Sequence, residues 1–270
     1  MPEPGAYGRR TPKRGPALQF SRWRAGAPLL YPSGVDYLAR LNGGWQMLSN
    51  DVAGDCVSVT WANARRLVTS LLAPPGHYPT QDQVWAFYKT QNPGFDPAGT
   101  ADTNGPGSRE DNGMDIQTAL ETLVRDGGPD GAKALAFGKV DTRDVSEVKD
   151  AIAVFGYVWT GVNVQAANLD QFRAGRPWDY VAGSPPDGGH SVLTGGYGLP
   201  GGGALAGDEK FITWAAETSF TDAYWGSQAE EAWVCIWPEH LGSRAFAEGV
   251  DRTALAADFL QVTGRPLSLG

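Results

Sequence analysis

The sequence predicts an α+β protein in which a helical half precedes a sheet-rich half. Three observations carry this: apolar residues recur at helical spacing from Cys56 to Val124, β-branched and aromatic runs of strand length follow Gly156, and glycine or proline pairs punctuate the junctions. The 270 residues are 41% hydrophobic, enough for one large core or two lobes, and 36 Gly with 19 Pro predict many turns. The expected organisation is an extended arm over 1–32, one domain over 33–240 and a C-terminal helix and tail over 241–270. Within the domain, a helical lobe over about 33–130 packs on a sheet or barrel lobe of antiparallel strands over 131–240.

The arm is rich in proline and carries Arg9, Arg10, Lys13, Arg14, Arg22 and Arg24 against Glu3 alone, whereas the whole chain has a net charge of −8. It is expected to lie loosely on an acidic body, anchored by Phe20 and Trp23, or to meet an acidic neighbouring subunit; nucleic acid is not expected as a partner. Ser33 or Asp36 caps a short helix through Tyr37, Leu38 and Leu41, broken by Gly43-Gly44. Asn50 to Cys56 is a polar turn that delivers a cysteine to the first position of the longest helix. There Val57, Trp61, Ala64, Val68 and Leu71 share one face, and Pro74-Pro75 ends it. Thr80 and Gln83 form a capping box for a helix through Val84, Phe87 and Tyr88. The Asn92–Gly113 loop, with Asp96, Asp102, Glu110 and Asp111, and Asp115 just beyond it, lacks the ordered ligand spacing of an EF-hand and reads as solvated turns. Helices follow over Ile116–Val124 and from Val145 to Ile152, stopped by Gly127-Gly128 and Gly156. Strands are expected over Tyr157–Val164, His190–Tyr197, Phe211–Trp214 and Ala232–Trp237, with Gly201–Gly207 as a hairpin tip and Thr253–Val262 as a terminal helix.

Composition narrows the function. No window approaches 18 uncharged apolar residues and the N-terminus has no apolar segment followed by a small-residue cleavage site, so neither a membrane partner nor secretion is expected and the chain reads as a cytosol-made protein. Cys56 and Cys235 are not a disulfide framework, and three histidines without CxxC or HxxxH spacing give zinc few ligands; neither metal nor cofactor is expected. Cys235 reads as a buried apolar residue of a strand, and His77 and His240 as solvated loop positions.

Cys56 is different. A thiol at a helix N-terminus sits at the positive end of the macrodipole beside unpaired N–H groups, which lowers its pKa. His190, roughly 130 residues downstream at a strand start, has the separation at which thiol and imidazole meet across an interlobe cleft.

On these residues the chain resembles the papain-like cysteine peptidases, over most of 45–237. Asn50 lies where that family usually has its oxyanion-hole glutamine, and Gly54 matches the glycine two before the nucleophile. Asp111-Asn112-Gly113 is similar to the Asn-Gly loop bordering the cleft. The run from Gly189-His190 to Gly198 is the closest match, and Trp225-Gly226 is similar to a late Trp-Gly element. The resemblance implies Cys56 as nucleophile, His190 as acid and base, and Asn50 with the Cys56 N–H as oxyanion donors, with Asn112, Gly113, Gly189 and Trp225 lining the substrate site. Aligning the strand at Phe211–Trp214 puts Ala215 where the family has its histidine-orienting asparagine, so Glu217 is the expected substitute, with Thr213 and Asp187 behind it. About fifty residues precede Cys56, so the family's inhibitory helix bundle is not expected.

The leading expectation is a papain-like cysteine hydrolase of peptide or related amide bonds. Ala215 and the charged arm favour an alternative, a catalytically weak papain-fold structural protein; Asn50 to Cys56 also resembles the form found in papain-like proteins carried by bacteriophages, which implies, as a specific version, a phage virion component in the virion or host-cell cytoplasm whose arm binds other subunits. A CHAP-type peptidoglycan amidase, acting on a peptidoglycan-like substrate, shares the Cys-then-His order but spaces the two more closely.

Overall fold

The computed structural model describes residues 1–25, 33–100, 107–198 and 209–269. Its order is β1 (Leu18–Gln19), α1 (Phe20–Trp23), β2 (Val35–Asp36), α2 (Cys56–Leu72), α3 (Gln81–Tyr88), α4 (Ile116–Arg125), β3 (Ala136–Val140), α5 (Val145–Phe155), β4 (Val158–Gln165), α6 (Ala166–Arg173), β5 (Pro186–Tyr197), β6 (Lys210–Thr213), β7 (Ala216–Ser219), α7 (Asp222–Gln228), β8 (Ala229–Ile236), α8 (Arg244–Gly249) and α9 (Arg252–Thr263). The Gly201–Gly207 tip and Asp102 lie outside the described residues.

One sheet runs β1-β3-β8-β4-β5-β6-β7, with β2 added on β5. All pairs are antiparallel except β1 with β3. Strand side chains alternate between its faces. Val158, Val162, Val192, Val234 and Ile236 join one core with α5, α1 and α9, while Trp159, Leu193, Trp233, Cys235 and Trp237 join the other with α2, α3 and α4.

The helix signals hold. Thr80 and Gln83 form the capping box, Asp115 and Asp144 cap α4 and α5 through their side chains, and left-handed Gly156 ends α5. The segment after Asp36 is only a 3-10 turn, Leu38–Arg40, with Ala39 N–H donating to Asp36 Oδ1. Helix α2 is buried on every side from Cys56 to Thr69, because the helical lobe covers the face that the sheet does not.

The arm departs from expectation. Phe20 and Trp23 are buried anchors, but the residues before them do not lie loosely: Arg9 is 6% exposed and pairs with Met114 in a short parallel bridge. His240 also departs, being wholly buried, with Trp237 N–H donating to Nδ1 and Nε2 bonded to the Phe155 carbonyl.

Candidate active site

The turn before α2 delivers Cys56 as its first helical residue, following Asp55. Strand β5 delivers His190 opposite Val162 of β4, with Gly189 opposite Asn163. A chain of hydroxyls ties the two elements: Trp159 Nε1 donates to Ser191 Oγ (2.7 Å), Ser191 Oγ to Thr60 Oγ1 (3.0 Å), and Thr60 Oγ1 to the Cys56 carbonyl (2.8 Å). Asp111 joins turn and cleft loop, accepting from Gly54 N–H and from the Tyr88 hydroxyl, which itself accepts from Gly113 N–H.

His190 is buried, with Nε2 bonded to Thr213 Oγ1 at 2.7 Å and Trp214 stacked at 4.8 Å. Thr213 therefore takes the position expected of Glu217. The reason is the hairpin between β6 and β7, whose central residues Trp214 and Ala215 both have positive φ (44° and 61°), so the strand ends one residue earlier than the sequence alignment assumed. Glu217 sits opposite Ile212 on β7 and binds Trp45 Nε1 (3.0 Å) and Lys210 Nζ (2.5 Å). Asp187 accepts from the Tyr7 hydroxyl instead. Trp225, expected in the cleft, is buried in the core with Nε1 donating to Thr142 O. The tryptophan stacked on His190 is Trp214, just after β6.

The cleft is filled by the arm. Ala6 N–H donates to Asn50 O (2.6 Å), and Asn50 Nδ2 donates back to Ala6 O (3.1 Å) as well as to Ala53 O (3.2 Å). Gly8 O accepts from Met114 N–H (2.6 Å), Arg9 N–H donates to Gly189 O (3.0 Å), and Arg10 N–H donates to Met114 O (2.8 Å). Arg10 Nε donates to Asn112 O, and the Tyr7 ring meets His190 edge-on at 5.8 Å. The chain approaches so closely that a Cβ on Gly8 would overlap the Gly54 carbonyl.

Occupancy sets the electrostatics. Burial pushes the Cys56 thiol up to about 12, with Asp55 adding to it, against backbone hydrogen bonds from Ser191 and Gly8. Burial, then Arg9, pushes His190 down to about 3. Thiol and imidazole are thus both neutral, and the helix-terminus effect expected from sequence is outweighed by desolvation. Burial and Asp111 hold Asp55 well above the usual carboxylate range. Cys235 is buried in β8 with its thiol pushed up by burial. Asp96 and Asp115 accept backbone N–H groups as turn and cap. All five non-glycine residues with positive φ among the described residues, Leu48, Ser49, Glu110, Trp214 and Ala215, flank Asn50, the cleft loop or Thr213. Such strain concentrates at functional sites.

A papain-like fold is the class this architecture defines. The chain is similar to xylellain, a cysteine protease from Xylella fastidiosa, at a TM-score of 0.58 and 15% identity over 87% of this chain and 97% of that one. It is similar to procathepsin L 3 of Tenebrio molitor larval midgut at a TM-score of 0.52 and 12% identity, covering 82% and 75%. No protein-family model and no curated protein matches the chain.

Proposed function

We propose that the chain is a papain-like cysteine hydrolase of peptide or related amide bonds, held latent by its own residues 5–10. The observation that carries this reading is the arm itself, an extended peptide bonded through its backbone to Asn50, Met114 and Gly189 around Cys56 and His190. With the arm displaced, the Cys56 proton passes to His190 Nδ1, which has no partner in the arm-bound state, and the thiolate attacks a substrate carbonyl carbon. The oxyanion is met by Cys56 N–H, free of an intrahelical partner at the helix start, and by Asn50 Nδ2, which already donates to a peptide carbonyl of the arm. His190 then gives its proton to the leaving amine; water, deprotonated by the same ring, hydrolyses the acyl-thioester and restores the thiol. Thr213 Oγ1 accepts Nε2–H and orients the ring.

Limiting iodoacetamide near pH 6 with mass-spectrometric mapping tests this. Cys56 should label slowly in the native chain and at least tenfold faster in Gly8→Val, and His190→Ala should cancel that gain. Equal, slow labelling in all three would sink the hydrolase. It would leave a papain-fold protein without catalysis, the reading favoured by Thr213 standing where the family has an amide.

A further inference from the structure

Resting on the reading of the cleft as a substrate site, a side-chain pocket beside His190 stands out, because the arm fills it with a single residue. Arg9 Nη2 donates to Glu230 Oε2 (2.7 Å), Asn163 Oδ1 (2.7 Å) and Val162 O (3.2 Å), and Nη1 donates to Glu231 Oε1 (3.2 Å) and to Arg10 O (3.3 Å) within the arm. Except for Arg10 O, these acceptors belong to β4 and β8, whereas the guanidinium comes from the arm. Glu231 is 1% exposed, and its other oxygen is used by Trp233 Nε1 (2.7 Å). Room for the arginine stem exists because residue 161 is glycine: a Cβ there would lie 2.7 Å from both Arg9 Cδ and Glu231 Cγ.

We propose that Asn163, Glu230 and Glu231 form the specificity pocket of the cleft, which takes an arginine side chain of the substrate peptide once Arg9 has left. Departure of the arm leaves Glu231 without its cation, and a buried carboxylate without a partner is costly, so the empty pocket selects a new cation. The acceptors are spread over two carboxylates, an amide and a carbonyl, which a forked guanidinium meets and a compact ammonium does not. The register fixes where that arginine sits. Asn163 pairs with Gly189, and Gly189 O holds the Arg9 N–H one residue before His190, so the selected arginine lies next to the residue over Cys56.

The test uses the full chain carrying Gly8→Val and Arg9→Ala, which vacate the cleft, in a Cys56→Ala background, so that binding is read without turnover. Fluorescence anisotropy compares a labelled peptide of residues 6–11 with the same peptide bearing citrulline in place of Arg9. The expected result is at least tenfold tighter binding of the arginine peptide, falling below about threefold when Glu231→Gln is added. Equal binding of the two peptides, no binding of either, or a preference untouched by Glu231→Gln overturns the pocket. If the combined variant does not fold, Arg9→Gly alone, refolded with methylguanidinium chloride or with sodium chloride of equal strength, decides. A melting midpoint raised only by methylguanidinium supports the pocket, and equal midpoints overturn it. Because neither readout needs the thiol, failure of the Cys56 labelling test leaves this result standing, and the reverse also holds.

Discussion

Among the described residues, two arginines are buried between carboxylates, and only one of them is fixed in the body of the fold. Arg65 projects from α2, binds Asp130 through Nε (2.8 Å) and Glu239 through Nη2 (2.9 Å), and lies 4.4 Å over the Trp237 ring. Arg9 has similar chemistry, a guanidinium between two carboxylates, but it is carried by a segment whose neighbours Glu3 and Lys13 are largely solvated. The comparison teaches that a buried ion pair is scaffold or occupant according to the chain that bears it. Removing Arg65 requires unfolding a helix inside the core, while removing Arg9 requires only undocking an arm.

The largest expected effect follows from that difference. Arg65→Met leaves Asp130, nearly inaccessible, without its cation and should cost about 3–5 kcal/mol of unfolding free energy in urea. Arg9→Met should cost less, about 1–2 kcal/mol, because the arm undocks without unfolding the body and Glu231 is then partly rehydrated, and it should speed Cys56 alkylation in protein that is still folded. Equal losses, with alkylation tracking global unfolding in both variants, would erase the distinction between the two arginines.

The buried histidines sharpen it next. His240, pushed down to about 4 by burial, belongs to the body, whereas His190, at about 3, owes its shift to burial and to Arg9 of the arm. In Gly8→Val the His190 ring should take up a proton at a higher pH than in the native chain while His240 does not change, read from imidazole resonances by NMR. For His240 the folded pKa lies below the unfolded 6.5, so the unfolded state binds more protons between these values. The stability it contributes is present above pH 6.5 and is lost as pH falls towards 4, by about 3 kcal/mol. The advantage of the native chain over His240→Gln should shrink across that window; a constant difference would contradict the assignment.

The smallest effect concerns the Trp214-Ala215 turn that sets Thr213 against His190. Ala215→Gly removes a left-handed penalty of about 1 kcal/mol and should raise the melting temperature without moving Cys56 reactivity.

Much of this was legible in the sequence because it is local. Cys56 at a helix start, the Thr80 capping box and Gly156 as a stop each depend on residues within a turn of one another. His190 and the Asn112-Gly113 loop could be named from motifs. Glu217 was the wrong neighbour for His190 because a two-residue hairpin turn reversed the chain one position earlier than the alignment assumed, a conformation that Trp-Ala does not announce. Trp225 and His240 were misplaced for a related reason: a tryptophan beside glycine and a histidine after proline carry no local mark of burial.

By itself, the sequence determined an α+β chain with a cysteine at a helix start, a distant histidine on a strand and a basic arm, since periodicity, caps and charge are properties of neighbouring residues. Only the tertiary structure decided that Thr213 is the histidine's partner, that the arm lies in the cleft and that Arg9 meets Glu230 and Glu231. Those contacts join residues from 23 to 222 positions apart. They form because burying a charge demands a partner, and which partner is within reach is settled by how the lobes close.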